Sequence, residues 1–319
     1  MSKWSDAMST GMVVSAAASD EAARAGSPEM DIDHLLVALA MSGGPAGAIL
    51  RRHGVSLDSV RAAITAVRDR ELSTLGITAT ETGPMPQRPL GDVNLDWSRR
   101  AQEVLSGTGG EYDGTGLLRS LLAEPSGTIA QILRELNVDP DAVRADIDSA
   151  KTQGLGTDVR YEHRGRHLPT AAEGFAPAPV EQVWELVSDP LRLPEWDSAV
   201  QAISPAGPGK WIGRQDRRKL RGGIVEGHQQ MQIRVLASEA DTHRVIYERT
   251  WPSRRRSGDH RVTVELEPVK DGTRVIVHSS VRLASGVRRL LQVFFTPLGR
   301  FMISAQAAHL ASGITRRFR

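Results

Sequence analysis

The sequence has no cysteine. That excludes disulfides, thiolate metal sites and a cysteine nucleophile, and it suits a reducing compartment such as the cytoplasm. Aromatic residues are scarce, at 4% of 319 positions, so each of the six tryptophans is informative. No charge sign dominates either. Forty Lys and Arg against 38 Asp and Glu leave a net +2, too small a balance for a dedicated nucleic-acid binder. The basic runs Arg217–Lys219 and Arg254–Arg256 are short and read as solvated loop or strand-edge clusters. Met1–Met12 lacks a basic flank followed by an unbroken apolar run, so no signal peptide is visible. No apolar stretch is long enough to span a bilayer. The most apolar segment, Val287–Ile314, is interrupted by Pro297 and Gly299 and carries Arg288, Arg289 and Arg300; it reads as a helix packed on a core. These absences predict a cytoplasmic protein without a membrane span.

What is present changes character along the chain. The first half is rich in Ala, Leu, Arg and Glu, with apolar residues at helical spacing. Leu35, Leu36 and Leu39 share one helix face, and Ser56 caps a segment whose stripe continues through Val60 and Ile64. The pattern then repeats. Leu35, Leu36 and Leu39 return as Leu117, Leu118 and Leu121; Ile49-Leu50-Arg51 returns as Ile132-Leu133-Arg134; Val55, Asp58, Val60, Arg61 and Ile64 return as Val138, Asp141, Val143, Arg144 and Ile147. One single-residue gap aligns the whole match, and Ser73–Asp92, rich in Thr, Gly and Pro, connects the copies. Two copies of a unit that cannot bury its own apolar face should pack as a pseudo-twofold pair. The expected organisation is an all-α repeat domain over residues 1–151, a polar linker over 152–167 and an α+β domain over 168–319. In the last of these, Gln229–Val235, Arg261–Glu267 and Arg274–His278 alternate as strands, Lys270-Asp271-Gly272-Thr273 is a hairpin turn, and Pro179–Val187 is a short helix with Pro in its first turn.

The first half resembles the N-terminal domain of the Clp unfoldases, closest to ClpC. Trp97-Ser98-Arg99-Arg100-Ala101 is similar to that family's first-helix opening, with Trp for Phe, and Trp4-Ser5-Asp6 stands at the same place in the first copy. Asp31-Ile32-Asp33-His34-Leu35-Leu36 resembles the second element, and Ala46–Leu57 the third. In the second copy the acid and histidine are missing: Tyr112-Asp113-Gly114-Thr115 stands there, and Gly107, Gly109 and Gly110 shorten the preceding helix. The resemblance implies a surface that receives a peptide, an adaptor or a Clp-directed cyclic-peptide antibiotic, with Trp4 and Trp97 as aromatic anchors and Asp33 with His34 as an anion-related pair. A staple at each helix entry, or local capping by His34, is the structural alternative. The second half resembles the START-like, helix-grip superfamily that includes polyketide cyclases. The phrase that carries this runs from Ala178-Pro179-Val180 through Val183-Trp184 and Asp189-Pro190 to Pro194-Glu195-Trp196-Asp197. It implies an antiparallel sheet wrapped on a long C-terminal helix, with an apolar cavity between. The expected lining is Trp184, Trp196, Met231, Ile233, Val264, Val277, Phe294, Phe301 and Met302, with Val235, Val262 and Val275 on the same sheet face.

Catalytic signatures are few. Gly207-Pro208-Gly209-Lys210 lacks the spacing and hydroxyl of a phosphate-binding loop, and no Gly-x-Ser-x-Gly elbow or His-Glu-x-x-His pattern occurs. The nine histidines lack metal-ligand spacing, so no metal or cofactor is expected. Glu226, His228 and Arg249 are the available acid–base candidates for a cavity. The favoured reading is a non-catalytic binding protein, adaptor or decoy for the Clp system, whose second half takes a small apolar ligand. A cyclase- or hydrolase-like enzyme carrying the first half as a targeting module stays open beside it, as does a ligand-responsive regulator.

Overall fold

Among the described residues of the first half, short apolar-patterned segments, separated by capping residues and glycines, fold into eight helices: α1 (Lys3–Arg24), α2 (Ile32–Ala40), α3 (Pro45–Arg52), α4 (Leu57–Thr74), α5 (Arg99–Ser106), α6 (Gly114–Leu122), α7 (Thr128–Glu135) and α8 (Pro140–Thr152). The structure is a computed structural model and describes residues 3–76, 95–108, 114–152, 167–218, 224–252, 259–282 and 303–318. Side-chain oxygens of Asp31, Ser56 and Ser98 cap α2, α4 and α5. Gly54, at φ 80°, turns the chain after α3 in a conformation that a Cβ would strain.

Leu35, Leu36 and Leu39 of α2 are fully buried, as are Leu118 and Leu121 of α6 and Leu133 of α7, all in one apolar cluster. Within it α3 packs on α8, α4 on α7, and α2 on α6. The first four helices and the last four therefore fill one common core. α5 is eight residues against the 22 of α1, and it stops at its cap, Gly107. Buried Arg51 donates from Nη1 to the carbonyls of Ala40 and Ser42, at 2.9 Å each, and so satisfies the end of α2.

The chain divides into two compact units, Asp6–Asp158 and Val159–Arg319. In the second, β1 (His167–Ala176) leads to α9 (Val180–Ser188), a 3-10 turn (Pro190–Arg192) and α10 (Leu193–Trp196). Pro179 occupies the cap position just before α9, outside its first turn. Six strands follow: β2 (Ala202–Gly207), β3 (Lys210–Arg218), β4 (Ile224–Glu239), β5 (Arg244–Thr250), β6 (His260–Val269) and β7 (Gly272–Arg282). They form one antiparallel sheet in the order β1-β7-β6-β5-β4-β3-β2. The β6–β7 hairpin turns at Lys270-Asp271, with Asp271 at φ 66° and Val269 paired to Gly272. Residues 303–316 form a terminal helix.

Strand alternation sends one set of side chains inward. Val262, Val264, Val275 and Val277 are fully buried, with Met231, Ile233, Val245 and Tyr247 beside them. The other face carries cross-strand ion pairs, Arg234–Glu248, Arg244–Glu265 and Arg274–Glu173. Two glycines locate the terminal helix. A Cβ on Gly174 of β1 would stand 2.8 Å from Thr315 Cγ2, and one on Gly313 would stand 2.0 Å from the Trp196 carbonyl oxygen. The helix is thus held between the sheet and α10, with Ala307, Leu310, Ala311 and Ile314 buried. Among the described residues no helix is long and apolar enough to cross a membrane.

Candidate functional site

In the helical unit, the predicted acid and histidine sit at the start of α2. Asp31 is the N-cap, and its carboxylate accepts from Ile32 N–H, from Ser98 Oγ at 2.6 Å and from Arg100. Burial raises the Asp31 pKa, but the Arg100 and Ser98 hydrogen bonds outweigh it and hold the group below the usual carboxylate range. His34 closes the capping box: its Nδ1 accepts the Asp31 N–H at 3.0 Å. Burial lowers the His34 pKa, against the opposing pull of Asp33 Oδ1 at 3.2 Å, so the ring is neutral and its Nδ1 lone pair meets that N–H. Asp33 is buried too, its Oδ2 3.0 Å from Arg68 Nη2 of α4. Both residues are engaged inside the fold.

Trp97 precedes α5, half-buried against the helical core. Its backbone bridges Met30, flanked by Met30 N–H to Asp96 O and Ser98 N–H to Met30 O, each 2.8 Å. The entries of α2 and α5 are thereby stitched together. Trp4 lies in the first turn of α1, and its side chain is outside the described residues.

In the sheet unit, Met231, Ile233, Val264 and Val277 occupy the inner face and are fully buried. Trp196 is buried beside Tyr247, ring centroids 6.2 Å apart. Trp184 is half-buried, and its ring meets His243 of the β4–β5 turn edge-on at 5.8 Å. Phe294, Phe301 and Met302 lie outside the described residues, as do the side chains of Glu226 and His228.

A polar cluster interrupts this apolar face. Arg249 of β5, 1% exposed, lies directly opposite His260 of β6 in the strand register. Arg249 Nη1 is 2.5 Å from Asp197 Oδ2, an equally buried carboxylate at the end of α10. His260 Nε2 is 2.7 Å from Ser279 Oγ, and the Trp251 ring stacks on the imidazole at 6.4 Å. Tyr247 donates its hydroxyl to Val187 O at 2.6 Å. Burial, then the Arg249 charge, push the His260 pKa down to about 3, so the ring is neutral. Among the described residues, Arg249 Nε and Nη2, His260 Nδ1 and Trp196 Nε1 are buried without a hydrogen-bond partner. Buried polar groups are nearly always paired, so these atoms set the cluster apart from the apolar face around it.

This cluster gives the sheet's inner face an apolar body and a polar head. Residues 171–315 match the family model described as polyketide cyclase / dehydrase and lipid transport. The second half is a helix-grip domain. Among solved structures, this half is similar to TTHA0849 from Thermus thermophilus, with 16% identity over 47% of this chain and 97% of that one and a TM-score of 0.33. It is also similar to the Zhui aromatase/cyclase from Streptomyces sp. R1128, with 17% identity over 48% and 96% of the two chains and a TM-score of 0.31. Mll3558 from Rhizobium loti gives 20% identity over 45% and 96% and a TM-score of 0.28. No curated protein matches the chain.

Of this cluster, Arg249 was legible as a candidate in the sequence and Trp196 as a cavity residue. Asp197, His260 and Ser279 were not singled out. Asp197 ends the phrase that carries the helix-grip resemblance, and the position after its tryptophan was the available signal. Among the described residues no cluster of His, Asp and Glu could hold a metal ion.

Proposed function

We propose that the chain is a two-part binding protein: its helix-grip half takes a small, largely apolar ligand on the inner face of the sheet, and its helical half is a Clp-type recognition module. The observation that carries the first part is the inner face itself, with Val262, Val264, Val275 and Val277 around one buried cluster of unpartnered polar atoms. Such a composition suits a ligand with an apolar body and one fixed polar end. Saturable binding of a fluorescent polycyclic or fatty probe tests it. No saturable binding across a broad apolar panel would mean that the inner face is only a packed core.

The helical half supports the Clp-type reading through the exchange in its packing. Swapping the first four helices for the last four turns the α3–α8 contact into α7–α4, and both are present. That is the reciprocity a pseudo-twofold duplicate requires. The stitched α2 and α5 entries put Trp97 beside the capping cluster, where an aromatic can serve an incoming peptide. On this reading the module acts as an adaptor or a decoy.

The contact between Ser279 and His260 is the feature that favours an enzyme. A histidine held at about 3 is a weak base near neutral pH, and its Nδ1 has no orienting carboxylate among the described residues. Binding is the better-supported role.

A further inference from the structure

Three arginines in this protein meet a carboxylate side-on, through Nε and Nη2 together. Arg192 donates from Nε and Nη2 to the two oxygens of Glu195, at 2.7 and 3.1 Å. Arg274 does the same to Glu173, at 3.2 and 2.8 Å. Arg61 uses the same two nitrogens on Glu21. In each case two parallel N–H groups match two carboxylate oxygens, the strong side-on arrangement. Arg249 is turned differently. Asp197 meets it at Nη1, and the Nε/Nη2 edge is the pair of nitrogens without a partner among the described residues.

That edge is enclosed, so bulk water does not satisfy it. A charged donor left unpaired in the interior costs more than a neutral one. The arrangement is also firmly placed. Asp197 is fixed by accepting the Ala199 N–H at 2.9 Å, and Arg249 sits within the sheet between Ile233 and His260. A guanidinium held by one carboxylate at its tip, with its side edge unpaired, is oriented for a second planar pair of oxygens.

We propose that Arg249 is the anchor for a ligand carboxylate: the helix-grip half takes an apolar molecule that ends in a carboxylic acid, whose two oxygens sit side-on against Nε and Nη2. This rests on the reading that the inner face binds an apolar ligand, and it names the polar end of that ligand. Asp197 already balances the charge of Arg249. The incoming charge is therefore met by hydrogen bonds, and the neutral His260 across the strand pair adds one where its Nδ1, unpartnered among the described residues, carries the ring's N–H. The ligand reaches the edge by displacing the side chains that enclose it.

The test compares a fluorescent long-chain fatty acid with its methyl ester, which shares the apolar body and lacks the charge. On the full-length wild-type chain the acid should bind roughly ten- to a hundredfold more tightly than the ester, the usual difference for a charge-assisted hydrogen-bond pair. In Arg249→Met with Asp197→Leu, which removes both charges together, the acid should fall to the level of the ester. Arg249→Lys, which keeps the charge and loses the two-pronged edge, should also lose most of the preference, and it serves if the double variant fails to fold. Equal affinities for acid and ester on the wild type overturn the carboxylate anchor while leaving the apolar site standing. A preference that survives in the folded variants overturns Arg249 as its source. If neither probe binds, the apolar site fails, and the anchor with it.

Discussion

Gly313 of the terminal helix and Trp196 of α10 meet without room for a side chain between them: a Cβ on Gly313 would fall 2.0 Å from the Trp196 carbonyl oxygen. In an exposed helix, Gly→Ala gains about 1 kcal/mol. Here the added methyl must push backbone apart, so Gly313→Ala should cost about 2 kcal/mol or more net and lower the melting temperature of the helix-grip half by several degrees. Gly174→Ala should cost less, because its nearest contact is the movable Thr315 methyl at 2.8 Å. Thermal melts of both variants check the order. A stabilised Gly313→Ala would mean that the helix is not gripped there.

His260 should titrate far below an ordinary histidine. Its ring faces Arg249 of β5, Ser279 of β7 and the Trp251 ring, and burial with the Arg249 charge holds the pKa at about 3. A histidine depressed on folding contributes stability that is full above its unfolded pKa, about 6.5, and is lost as pH falls from there toward the folded value. The helix-grip half should therefore lose up to about 1.4 kcal/mol per pH unit below about pH 6 from this group. In Arg249→Met with Asp197→Leu the His260 pKa should rise. Proton NMR titration of the imidazole reads both.

Trp4 and Trp97 are expected to form one recognition surface on the helical half. Trp4→Ala with Trp97→Ala should weaken binding of a ClpC-directed cyclic peptide by roughly two or more orders of magnitude, since each buried ring contributes roughly 1.5 to 3 kcal/mol. Affinity and melting temperature are measured together. A lower melting point with unchanged affinity would reduce both tryptophans to helix-entry staples.

The segment over residues 152–167 should be where limited proteolysis first cuts, because its sequence is polar, contains glycine and has no apolar period. The two fragments should each keep a cooperative melt. Insolubility of both halves when expressed separately would place the boundary elsewhere.

Much of this fold was legible because its periods are clean. The leucines of α2 and α6 kept helical spacing, and Val262, Val264, Val275 and Val277 kept strand alternation. β5 was missed for a physical reason. Its inward set is Val245, Tyr247 and Arg249, and a pattern reader assigns an arginine to the solvent face. His260 escaped in the same way, as a polar residue one position before the obvious alternation of β6. β2 and β3 carry few buried apolar residues, so nothing in them stood out. The polar cluster was therefore hidden where inward-facing charge contradicts the binary pattern, which is where function and local rules part company.

The contacts of α3 with α8 and of α4 with α7 have one more consequence. Each set of four helices supplies the other's apolar partner, so joining them in one chain keeps the two sets at high effective concentration. Cutting the chain between the two sets would turn one folding reaction into the association of two fragments, each unfolded alone. Mixed together, they would regain structure with a melting point that climbs with concentration.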